Sequence, residues 1–102
     1  MPNNSFKVGP VEEIEAFIFS LSPERQDTLK SLPWSCVWLF YVSYGCETLH
    51  FKDFKKATTY NDGTIIKGIQ RLISSGLLIR HAQRDGRKGF KYSSISFYAS
   101  YL

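Results

Sequence analysis

The chain has 102 residues, 43% hydrophobic and 16% aromatic, which sets the scale at one domain with a real core and excludes wholesale disorder. Its net charge is +4, unevenly spread: residues 1–49 hold three basic and six acidic side chains, a net of −3. Residues 50–91 hold ten basic and three acidic side chains, a net of +7, which is the footprint expected of a surface that meets a polyanion, although a solvated basic face is the plain alternative.

In chain order, residues 1–9 are polar and read as a flexible arm, with 10–102 as a single domain. Pro10 opens a helix on which Val11, Ile14, Phe17, Ile18 and Leu21 recur at helical spacing, with Glu12, Glu13 and Glu15 where the helix dipole favours acids. Ser22-Pro23-Glu24 restarts the chain as N-cap, first helical residue and first-turn acid. That short helix is expected to run through Leu32 and stop before Pro33. Trp34 to Tyr44 is apolar nearly all round, so periodicity alone does not separate buried strand from buried helix; a helix ended by Gly45 suits the helical segments downstream of it.

Thr48-Leu49-His50 is long enough for a very short extended piece. Phe51 to Ala57 is a short amphipathic helix carrying Lys52, Lys55 and Lys56, and Thr58 to Gly63 is a turn-rich break. Thr64 to Ser75 predicts a second helix: Ile65, Ile66, Ile69, Leu72 and Ile73 fall on one side, and Thr64, Lys67, Gly68, Arg71, Ser74 and Ser75 on the other, with Gly76 at the C-terminal cap. Residues 77–96 then read as strand, Gly-containing turn and strand, turning near Asp85–Gly89. The uncharged, aromatic tail 97–102 is expected to pack on the core or on a partner.

Short helix, turn, longer helix and basic-tipped hairpin give an α+β, mainly helical class. From Leu49 to Ile79 the chain resembles the DNA-binding core of MarR-like and ArsR-like bacterial regulators, through Ile69, Leu72, Gly76, Leu77 and Leu78 in an Ile-x-x-Leu-x-x-x-Gly-Leu pattern. The segment RDGRKGFKYSSIS, with Arg84, Asp85 and Arg87 at its tip, resembles their wing. The resemblance covers roughly residues 34–96. It implies a winged helix-turn-helix with a two-stranded β-hairpin wing, recognition helix 64–75 and wing 77–96. It also implies double-stranded DNA as partner, and a homodimer made by the chain ends.

The chemistry of such a site agrees with these residues. A helix held by one apolar face fits the major groove, where base edges present a readable donor and acceptor code. Lys67 and Arg71 are expected on phosphates or guanine edges, and Thr64 on phosphate or a thymine methyl. Gly68 is expected to let the backbone come close, and Asn61 to cap the helix or touch DNA. Arg84, Arg87 and Lys88 are expected at the minor groove, and Lys52, Lys55 and Lys56 along the phosphate backbone.

Other chemistry finds little footing. Cys36 and Cys46 read as free thiols in a reducing compartment. With His50 and His81 they match no standard zinc spacing, so no metal and no cofactor is expected. Phosphate loops, metalloprotease motifs and nucleophile elbows are missing from the sequence, and the expectation is a non-enzyme. The first ten residues show no apolar signal core and Trp34–Tyr44 is too short to span a bilayer, so a cytoplasmic protein without a membrane segment is expected. The functional expectation is a sequence-specific DNA-binding protein acting in transcription regulation. The alternatives are an accessory DNA-binding protein of a mobile element, in plasmid partition or conjugative transfer, and a winged-helix module that binds only protein.

Overall fold

The computed structural model describes residues 11–84 and 86–96, and no side chain is described for residues 82–84 and 88. The expected arm 1–9, the tail 97–102 and Asp85 lie outside the described residues. Five helices precede one antiparallel hairpin: α1 (Val11–Phe19), α2 (Pro23–Lys30), α3 (Trp34–Ser43), α4 (Phe51–Ala57), α5 (Asp62–Ser74), β1 (Leu78–Arg84) and β2 (Phe90–Ser94). The class is α+β and mainly helical.

α3 is the helix the others pack on. Its all-round apolar sequence leaves no water-facing stripe, so it is stable only when surrounded. Cys36, Val37, Trp38, Leu39 and Phe40 are all buried, and α1, α4, α5 and β2 each pack against it. Burying one such large apolar side chain stabilises by roughly 1.5–3 kcal/mol. α1 docks through Ile14, fully buried, and through Phe17, whose ring lies 5.9 Å from Phe40, 5.1 Å from Tyr41 and 4.8 Å from Tyr44. The Tyr41 hydroxyl donates to the Glu13 carboxylate at 3.1 Å and adds a polar tie. Phe19, on the other side of α1, is 78% exposed.

Local chemistry sets the helix ends. Ser22 Oγ accepts from the Arg25 amide at 3.3 Å, with Pro23 at the first turn, as that triplet demands. α2 ends at Lys30, two residues before Leu32, and Pro33 in extended conformation starts α3. The Asp53 carboxylate accepts from the His50 amide at 2.8 Å and closes the start of α4. α5 begins at Asp62, two residues before the expected Thr64, because Asn61 is its N-cap, accepting from the Thr64 amide at 2.8 Å. Its far end is a Schellman turn: the Leu77 amide reaches the Leu72 carbonyl at 2.9 Å and the Gly76 amide reaches Ile73 at 3.0 Å.

Gly76 holds φ +76°, and a Cβ placed on it meets nothing within 4 Å. Gly76→Ala is therefore a purely conformational change. It should lower unfolding free energy by about 1–2 kcal/mol, the cost of a left-handed L-residue, read as a lower denaturant midpoint.

The hairpin pairs Leu78 with Ser94, Ile79 with Ser93 and Arg80 with Tyr92, then shifts register before Arg84 meets Phe90. A helical turn, Gly86–Lys88, connects the strands within the expected turn region. The expected extended piece before α4 is present as a single bridge. Leu49 and Tyr92 exchange both backbone hydrogen bonds, at 2.8 and 2.7 Å. The Ser94 amide adds a bond to the Cys46 carbonyl at 2.9 Å, and the Ser93 hydroxyl donates to the Glu47 carbonyl. β2 is thus bonded on both edges, to β1 and to the segment that leads into α4. Among the described residues, no helix is long and apolar enough to cross a membrane.

Candidate nucleic-acid interface

α5 carries the candidate surface, and its orientation is set by its buried side. Ile65, Gly68, Ile69 and Leu72 face inward. Gly68 is expected from the sequence on the outward, DNA-facing stripe; it is instead buried against α3. A Cβ at Gly68 would lie 2.4 Å from Leu39 Cδ1, and the Cys36 thiol already points at the Gly68 carbonyl at 3.9 Å. The glycine admits α3, so its close approach serves helix packing.

This turns the helix. At 3.6 residues per turn, the centre of the exposed face lies roughly a fifth of a turn from the stripe through Thr64, Lys67, Gly68 and Arg71. Gly63, Lys67, Gln70 and Ser74 stand at that centre, all exposed. Arg71, also exposed, flanks them on one side, with Thr64 half-buried beyond it. On the other flank is Ile66, assigned to the core by its apolarity but 47% exposed. Gln70 and Ile66 are the residues that reading by hydrophobicity passes over. The signal that would have found them is the small residue at position 68, which marks where another helix comes close.

Beside this face runs an open groove of roughly 500 Å³, lined by Leu32, Lys67, Gln70, Arg71, Ser74 and Ser75. Arg71 brings positive charge near the Cys36 thiol, but burial dominates and pushes that thiol above its ordinary range. A smaller hollow of roughly 220 Å³ lies between α5 and the hairpin, with Ile66, Gln70, Arg80 and Phe90 among its walls. There the Arg80 guanidinium lies 4.6 Å from the centre of the Phe90 ring.

The remaining cations divide. Lys52 and Lys56 on α4 are exposed, as is Arg87 at the hairpin turn. Lys55 is committed: its Nζ sits 2.6 Å from Asp62 Oδ1 and ties α4 to the start of α5. Both partners are about half-exposed or more, so the pair adds under about 1 kcal/mol, and its effect is mainly to cancel the one carboxylate at the head of α5. The side chains of Arg84 and Lys88 lie outside the described ones. Asn61 fills the capping role of the two expected for it.

The two cysteines and two histidines are dispersed. Cys36 lies under α5, His50 starts α4, and His81 Nε2 bonds Ser93 Oγ at 2.6 Å. Burial, then the charge of Asp53, pushes the half-buried Cys46 thiol up. Among the described residues no group of three or more His, Cys, Asp or Glu is placed to hold a metal ion, and both cysteines are free. Compared with known proteins, the chain matches no family model, no curated protein and no solved structure.

Proposed function

We propose that the chain is a winged helix-turn-helix protein that binds double-stranded DNA as a homodimer and regulates transcription. α4 and α5 form the helix-turn-helix, α5 enters the major groove, and the hairpin is the wing beside the adjacent minor groove. One observation carries this reading. The exposed face of α5 presents Lys67, Gln70 and Arg71, while the only carboxylates on α4, α5 and the described hairpin, Asp53 and Asp62, are held at helix starts by backbone and by Lys55. A surface that is cationic, amide-bearing and stripped of effective negative charge matches phosphate and base edges together. Lys52 and Lys56 extend it along the backbone, and Arg87 extends it at the wing.

Titration of labelled duplexes against salt tests the proposal. With about five phosphates neutralised, affinity should fall by roughly 500-fold between 50 and 200 mM salt. Arg71→Ala should cost roughly 1–3 kcal/mol and make the dependence of log affinity on log salt shallower by about one. Arg87→Ala should weaken all duplexes alike. Absence of duplex binding at low salt would overturn the reading.

The dimer rests on α1, where Ile14 is spent on the chain's own core but Val11 and Phe19 stay open. A two-fold dimer places two α5 helices roughly 34–36 Å apart, one DNA turn. Light scattering at tens of micromolar should give twice the 11.7 kDa chain mass, and Phe19→Asp should halve it. A wild-type monomer at that concentration would reject the dimer.

A further inference from the structure

Ile66 and Gln70 stand one helical turn apart on α5 and line the same hollow beside the hairpin. Ile66 is the one isoleucine of α5 left 47% exposed, and Gln70 is exposed at the centre of the outward face. The hollow itself is walled by Phe51, Ile69, Ile73, Phe90 and Tyr92 with Arg80 as its one cation, and the open face beside it carries Lys67 and Arg71, with Asp62 paired to Lys55. That charge commits the occupant to a polyanion, and on the duplex-binding reading the two side chains reach base edges. A glutamine carboxamide offers one donor and one acceptor side by side, the complement of adenine N7 and N6 in the major groove. An aliphatic side chain there has one apolar counterpart, the thymine C5-methyl.

Residues i and i+4 are roughly 6 Å apart along the axis, somewhat under two base-pair steps of roughly 3.4 Å. We infer that α5 selects a site containing an adenine read by Gln70 and, within about two base-pair steps of it, a thymine whose methyl packs on Ile66. This inference rests on the duplex-binding reading and deepens it. Lys67 and Arg71 supply attraction, and the uncharged pair supplies choice of base.

The test uses the full chain. The best duplex is selected from a randomised pool. Each thymine is then replaced in turn by uracil, which removes only the methyl, and each adenine by 7-deazaadenine, which removes only the N7 acceptor. At one thymine the wild type should lose about fourfold in affinity, the worth of one buried methyl, and Ile66→Ala should lose nothing further there. At one adenine the wild type should lose about tenfold, and Gln70→Ala should be indifferent. Both side chains are exposed, so the variants should keep the wild-type denaturation midpoint. A wild type that binds with its full salt slope yet ignores every uracil and 7-deazaadenine overturns this inference and leaves duplex binding standing. So do variants that discriminate as the wild type does. No binding of any duplex at low salt overturns both.

Discussion

Gly68→Val should lower the unfolding free energy by about 3 kcal/mol, at the upper end of what overpacking a core costs. The new Cβ would start 2.4 Å from Leu39 Cδ1 and 3.8 Å from Cys36 Sγ. Leu39 Cδ1 is the tip of a flexible side chain, but Leu39 is fully buried with no solvent to swing into. The helices must separate or Leu39 must leave its rotamer, and both lose packing. Gly68→Ala is the milder case. Its clash is offset by about 1 kcal/mol of improved helix propensity, so a net loss near 1 kcal/mol is expected. Adding Leu39→Ala to Gly68→Ala should cost less than the sum of the two single changes, since the truncated side chain vacates the space the methyl needs. Denaturant unfolding measures all four; an unchanged midpoint for Gly68→Val would contradict the packing described.

Lys67→Glu combined with Arg71→Glu should reduce duplex affinity by at least about a thousandfold. Each cation lost from a phosphate or base is worth roughly 1–3 kcal/mol, and each glutamate adds repulsion. The dependence of log affinity on log salt should become shallower by about two, one for each lost phosphate contact. Both side chains are exposed on α5, so stability should stay within about 0.5 kcal/mol of wild type. Fluorescence anisotropy across a salt series, with unfolding curves on the same samples, separates lost binding from lost folding. Retained affinity would move the interface off α5.

Much of this architecture is legible in the sequence because its signals are local. Ser22-Pro23-Glu24 starts α2 through one hydroxyl and one ring, and Phe51 to Ala57 is helical as its spacing predicts. Gly76 marks the end of α5 because few other residues take that backbone angle. The orientation of α5 is not legible, for a physical reason. Hydrophobicity assigns faces by side chain, and a glycine has none, so Gly68 drops out although it sits at the closest helix contact. With that contact hidden, Ile66 is drawn inward by its apolarity and Gln70 disappears among the polar residues. The Lys55–Asp62 pair is equally hidden, since it depends on the angle between α4 and α5. β1 runs to Arg84, up to the expected turn near Asp85–Gly89, and a register shift between Arg80 and Arg84 that no sequence signal marks lets this longer strand pair with the shorter β2.

The bonds that join residues 45–49 to 92–96 also bear on how cooperatively the chain folds. The Gly45 amide donates to Ser96 Oγ at 2.7 Å across 51 positions, and Ser93 meets Glu47 across 46. Between these anchors lie α4, α5 and the hairpin, so zipping them closes one long loop around the whole candidate interface. Closing a flexible loop of that length costs roughly 3 kcal/mol in chain entropy, about what the three backbone bonds return at roughly 1 kcal/mol each. Docking of α5 on α3 shortens the effective loop, so the zipper and the packing it encloses stabilise each other. Once formed, it makes α4, α5 and the hairpin open and close as a unit, so the hairpin cannot come loose without disturbing the start of α4.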